Sequence, residues 1–170
     1  MTELKEYIRK SLEAGNMAED NSRQARINFF KEKVEDLYRL VNENLLADLR
    51  DEDLYRSSYE DEEIVEDGLG KYNTRTMLIT MGRLRVELRP YGTEVIGARG
   101  RVDMWVNNND ENAMLILVPS DVDCPQKPIS DSEQQWEWKM VERRISKVTY
   151  RPLTSDLFQK KILSLASLTV

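Results

Sequence analysis

A chain of 170 residues with 25 basic and 31 acidic side chains, formal charge −6, has room for one core inside a heavily solvated exterior. It contains no histidine and one cysteine, Cys124. That excludes Ser-His-Asp and Cys-His nucleophile activation, histidine-held zinc, proximal-histidine haem, an intrachain disulfide and any multi-thiolate metal site. No metal and no cofactor is expected. The longest apolar run, Ala113 to Val118, is strand length and far below the ~20 residues of a membrane span. The expectation is a cytoplasmic protein without membrane contact, its unpaired Cys124 a loop bystander.

The chain reads as one domain over 1–170. Residues 1–50 are helical, 51–73 an acidic loop, 74–151 an antiparallel sheet and 152–170 a C-terminal helix. Leu4, Tyr7, Ile8 and Leu12 recur at helical spacing, and Gly15 is the expected stop. Asn16 and Glu19 resemble a capping box that starts a second helix reaching about Arg50. Its stripe is Ile27, Phe30, Val34, Leu37, Val41 and Leu45. Two destinations compete for the 27–45 stripe: the protein's own sheet, which is preferred, or a second copy, which would make a homo-oligomer.

Residues 51–73 hold nine acids against Arg56 and Lys71, whereas the rest of the chain is nearly balanced. The acidity is therefore local. A block of like charge reads as a solvated loop. Tyr55, Tyr59, Ile64 and Val65 among the acids suggest a recognition element that orders on a partner protein. Asp53, Tyr55, Tyr59, Asp61, Glu62, Glu63 and Ile64 are its expected contacts, with acids steering encounter and tyrosines supplying contact area.

From Arg75 the period becomes two. Leu84, Val86 and Leu88 alternate with charged residues, Pro90-Tyr91-Gly92 is a turn, and 93–106 is one bent strand or two. Residues 107–112 form a polar hairpin tip, Met114–Val118 an apolar strand, and 119–135 an irregular loop. Trp136, Trp138 and Met140 share one face of a strand running towards Tyr150. Thr154 or Ser155 caps a final helix with stripe Phe158, Ile162 and Leu165. Strands in one run with helices at both ends indicate α+β: N-terminal and C-terminal helices packed on a four- to five-stranded antiparallel meander.

Gly100 to Val106, the polar tip and the next apolar strand resemble the layout of a PD-(D/E)xK nuclease core. The resemblance implies Asp103 and a following Glu-x-Lys as metal ligands and water-orienting lysine. The next strand, Leu115 to Ser120, carries neither Glu nor Lys, and Glu137-Trp138-Lys139 falls one strand late. No catalysis is expected. Asp51, Asp53 and Glu62 match three positions of a calcium loop, but Tyr55 and Arg56 stand where a ligand and a glycine are required. The main functional expectation is a non-catalytic accessory protein that binds another protein, as adaptors, inhibitors, immunity proteins and chaperones do. The alternative is nucleic-acid binding through a basic sheet face bearing Arg83, Arg85, Arg99, Arg101, Arg143 and Arg144.

Overall fold

The computed structural model describes residues 2–95, 97–125 and 135–167. Helix α1 spans Thr2–Leu40, a π-helical turn occupies Val41–Leu45, and α2 covers Ala47–Asp51. Seven strands follow: β1 Arg56–Glu66, β2 Gly70–Met81, β3 Leu84–Gly92, β4 Arg101–Val106, β5 Asn112–Pro119, β6 Trp136–Arg144 and β7 Lys147–Pro152. Helix α3, Ser155–Ala166, ends the described chain. Each strand pairs antiparallel with its sequence neighbour, in the order β1 to β7. The class is α+β and the sheet a meander, with seven strands rather than four or five. The additional strands are β1, where a loop was expected, and those that come from dividing the stretch before Gly92 into β2 and β3 and 136–152 into β6 and β7, while 93–106 yields the single strand β4. Of the expected loop 119–135, residues 126–134 lie outside the described residues.

The helical boundaries also differ from expectation. Gly15 does not stop a helix; α1 runs through it. Its φ is not positive, and an added Cβ would meet nothing within 4 Å. Glycine weakens a helix interior by about 1 kcal/mol, but termination needs the left-handed conformation it does not adopt here. The Asn16–Glu19 capping box accordingly has no helix to begin.

The stripe beginning at Ile27 is occupied by the protein's own sheet. Phe30, Val34, Leu37 and Val41 are buried with Met77, Val86, Leu88, Leu115 and Leu117. Of the two destinations for the 27–45 stripe, its apolar residues take the preferred one, the protein's own sheet. Hydrogen bonds fix the helix across several strands. Trp138 Nε1 on β6 donates to the Lys33 carbonyl at 2.7 Å. Tyr38 donates its hydroxyl to the backbone carbonyls of Arg75 and Leu88. Gly100 sits so close to Phe30 that a Cβ would fall 2.7 Å from its ring. The core therefore requires glycine at 100 because a helix side chain fills the space.

The π turn has an identifiable use. The Leu46 amide reaches back five residues to the Val41 carbonyl at 2.9 Å. The widened turn lets Leu45 and Leu46 both be buried. The Leu45 carbonyl accepts from Ser155 Oγ at 3.0 Å and Gln159 Nε2 at 2.9 Å, which ties α3 to the end of α1. Thr154 caps α3, its hydroxyl accepting from the Leu157 amide at 3.2 Å. At the β4–β5 hairpin, Asn107 and Asn108 both have positive φ, the conformation asparagine tolerates best after glycine.

The opposite face of the sheet is only partly wet. Ile116, Val118 and Tyr150 are buried there beneath Ala98 and Val122. No helix among the described residues is long and apolar enough to cross a membrane.

Candidate functional site

The acidic run forms the edge strand of the sheet. A sequence dense in Asp and Glu has poor strand propensity, and pairing overrides it. β1 matches β2 over eleven positions, from Arg56 opposite Thr80 to Glu66 opposite Gly70. Glu60 faces Thr76, Asp61 faces Arg75, Glu62 faces Thr74 and Glu63 faces Asn73. No acid meets an acid on the neighbouring strand, so the cross-strand repulsion that would unzip the pair is absent. The expectation of a segment ordered mainly on binding is corrected: Arg56–Glu66 is a strand paired with β2 in the chain alone.

The expected contact residues divide into two groups. Asp61 and Glu63 are exposed on β1 and Glu62 partly so. Glu62 Oε2 accepts a long bond, 3.4 Å, from the Thr76 hydroxyl. Asp53 lies exposed in the turn after α2, with positive φ. Tyr55, Tyr59 and Ile64 instead anchor the strand. Tyr55 donates its hydroxyl to Asn42 Oδ1 at 2.8 Å, and Asn42 Nδ2 donates to the Tyr59 hydroxyl at 3.3 Å. The Arg75 guanidinium lies 4.1 Å from the Tyr59 ring centre and pairs with Glu35 on α1. Ile64 is buried. These groups hold the acidic strand to the domain, although Tyr59 stays 37% exposed, and Val65, 66% exposed, faces solvent. Among the described residues no strand pairs with the outer edge of β1. An eleven-residue strand presents an edge about 37 Å long.

Glu66, at the end of β1, was not singled out by its position in the acidic run. Its carboxylate is buried. One oxygen accepts from the Thr93 amide at 2.8 Å, the Thr93 hydroxyl at 2.9 Å and the Glu94 amide at 2.9 Å; the other accepts from the Tyr72 hydroxyl. Arg26 Nη2 donates to the Thr93 hydroxyl at 3.1 Å, which brings α1 into the same network. The only sequence trace of it is Gly92: a Cβ there would lie 2.9 Å from the Glu66 carboxylate.

Burial, then the neighbouring Glu66 carboxylate, raises the Tyr72 phenol above its ordinary range; burial and Glu35 do the same to Tyr38. A folded-state pKa above the unfolded one means the native state holds more protons in alkali. That stability is complete below pH about 10 and is lost as pH rises further. Unfolding free energy should fall above pH 10 by about 1.4 kcal/mol per pH unit for each of the two phenols. Urea titrations between pH 8 and 11 check this, and Tyr72→Phe should make the slope shallower.

The expected basic face is not assembled as one surface. Arg83 lies in the β2–β3 turn, Arg85 on β3, and Arg143 and Arg144 at the β6–β7 tip. Arg101 makes a two-bond contact to Asp103, at 2.8 and 3.2 Å, and lies 4.2 Å from the Tyr91 ring centre. Arg99 sits 5.7 Å from the Trp136 ring centre, and Arg144 pairs with Glu142 at 3.3 Å. The buried Ile116–Tyr150 cluster lies on this side of the sheet, which breaks a continuous basic face.

The nuclease-like layout does not converge either. Asp103 is held by Arg101, and the Lys139 ammonium donates to the Ser120 and Val122 carbonyls, both at 2.8 Å. β5 separates the strands of Asp103 and Glu137. Asp51 is in α2 and Glu62 in β1, so the calcium-loop spacing does not form a loop. Among the described residues, no three His, Cys, Asp or Glu side chains are grouped to hold a metal ion. Cys124 is exposed. No protein-family model, curated protein or solved structure matches the chain.

Proposed function

We propose that the protein is a non-catalytic binding module whose β1 edge receives an extended, basic segment of another protein. The observation that supports this reading is the unpaired outer edge of β1 with Glu60, Asp61 and Glu63 exposed along it. Strand addition supplies backbone hydrogen bonds, while alternating side chains and charge supply selectivity. Acids also keep such an edge from pairing with neutral strands, so the same residues discourage unwanted partners.

The test is to pan a library of ten-residue peptides, alternating β-branched and basic residues, against the full chain. Selected peptides should bind at least about tenfold more weakly to the Asp61→Lys, Glu63→Lys variant, mainly through a slower on-rate, and weaken with added salt. Amide exchange of the outward N–H groups of β1 should slow in the complex. A library that yields no binder, or binders indifferent to charge reversal and salt, rejects the reading.

A second reading rests on the β6–β7 tip. There Arg143 and Lys147 are exposed around a fully exposed Ile145. A concavity of about 400 Å³ beside it is lined by Arg144, Lys147, Arg151 and Tyr150, with Glu142 and Asp123. Cation-lined concavities of this kind engage nucleic-acid phosphates, in which case gel-shift affinity should fall steeply with salt and with Arg143→Glu. The acids in the lining make this the weaker reading.

A further inference from the structure

An open antiparallel sheet has two outer edges, and here they differ. Among the described residues no strand pairs with the outer side of β1 or of β7, and no amide of β1 bonds to a group outside the sheet. At β7 the Tyr150 amide donates to the Asp123 carbonyl at 2.7 Å, away from β6. Tyr150 therefore turns its backbone groups outward. By the alternation of a strand, Val148 and Pro152 do the same. Proline has no N–H. One outward amide of β7 is thus occupied, one does not exist, and that of Val148 is left to pair. An edge in that state is a poor template for another strand.

The occupying carbonyl belongs to a loop that is tied down around it. The Ser120 amide and hydroxyl both donate to the Gln135 carbonyl, at 2.9 and 3.1 Å. The Val122 amide turns back to the Pro119 carbonyl at 3.0 Å, and the Val122 side chain is buried with Ile116, Val118 and Tyr150. Lys139 of β6 is only 3% exposed, and its ammonium donates to the Ser120 and Val122 carbonyls, both at 2.8 Å. These partners are backbone carbonyls rather than a carboxylate. Burying a cation is costly, and methionine has similar length and would pack without that cost. Methionine would, however, leave the two carbonyls without their donor and the loop untied. What the ammonium supplies at this place is loop geometry, fixed one residue before the carbonyl that caps Tyr150.

We infer that residues 119–124 are a strap that closes the β7 edge of the sheet, and that Lys139 is the latch that holds it shut. The two edges are then protected by different means. Charge on β1 discriminates among partners, whereas the covered and missing donors of β7 turn strands away whatever their charge. The strap rests on the backbone bonds of β7 alone, so it stands or falls separately from the reading of β1.

Amide exchange of the full chain tests both parts. In the wild-type protein the Tyr150 amide is expected to exchange at least about a hundredfold more slowly than that of Val148, its outward neighbour without a cap. Lys139→Met should speed Tyr150 exchange at least about tenfold, while the amides of β2 and β4 keep their rates. A nitroxide label on Cys124, the chain's one cysteine and an exposed residue of the strap, should gain mobility in the same variant. Equal exchange of Tyr150 and Val148 in the wild-type chain overturns the strap, and that measurement needs no variant to fold. Unchanged Tyr150 exchange and label mobility in Lys139→Met overturn the latch. So does a uniform rise across all seven strands, which would make Lys139 a support of the whole sheet.

Discussion

Glu66→Ala is expected to lower the free energy of unfolding by about 3–5 kcal/mol. The carboxylate is buried and accepts four hydrogen bonds, two of them from the consecutive backbone amides of Thr93 and Glu94. Hydrogen bonds to a charged group are each worth about 1.5–3 kcal/mol, but water entering the vacated space recovers part of the loss, so the sum is not reached. Alanine leaves those two amides and the Tyr72 hydroxyl without a protein partner. Glu66→Gln keeps one acceptor oxygen and should cost less than alanine. Gly92→Ala should act in the same direction by pressing a methyl group onto the carboxylate. Urea unfolding of the three variants is the measurement, and an unchanged midpoint for Glu66→Ala would remove this network from the account of what closes the β1–β3 end of the sheet.

Leu37→Ala should cost about 2–5 kcal/mol. The side chain is 0% exposed, in the centre of the α1 stripe within the core. Loss of transfer free energy adds to the cavity that remains, and the space cannot collapse easily. Tyr38, its immediate neighbour, is pinned by hydrogen bonds to two strands. The same substitution at Leu12, in the exposed first part of α1, should change the unfolding free energy by no more than about 0.5 kcal/mol, because Leu12 is already 63% exposed. The contrast between these two leucines on one helix separates the part of α1 that builds the core from the part that protrudes.

Much of the fold was legible because burial imposes periodicity. The spacing of Ile27, Phe30, Val34 and Leu37 marks one helical face, and the alternation of Leu84, Val86 and Leu88 marks a strand with one side on the core. The asparagine-rich tip at 107–112 and the Thr154 cap were readable from local chemistry alone, since a left-handed turn and an orphan helix amide select the same few side chains anywhere.

The acidic run shows where local signals fail. In Tyr59-Glu60-Asp61-Glu62-Glu63 only the tyrosine favours a strand. Its conformation depends on Asn73, Thr74, Arg75 and Thr76, which supply neutral or basic partners only after the chain has turned back. The same holds for Glu66, one acid among nine until folding encloses it with Thr93, Glu94 and Tyr72. Gly15 misled for the opposite reason: in an isolated segment glycine is a stop signal, but continuity of α1 is decided by the dihedral it adopts. Sequence by itself determined the α+β class, the absence of histidine chemistry, the core stripe and the location of the charge. Tertiary structure alone decided that the charge lies on an edge strand, that the arginines are spread over several elements, and that residues 2–26 of α1 are exposed. Pairing partners, burial and exposure are relations between distant residues, and local periodicity carries no information about which distant residues will meet.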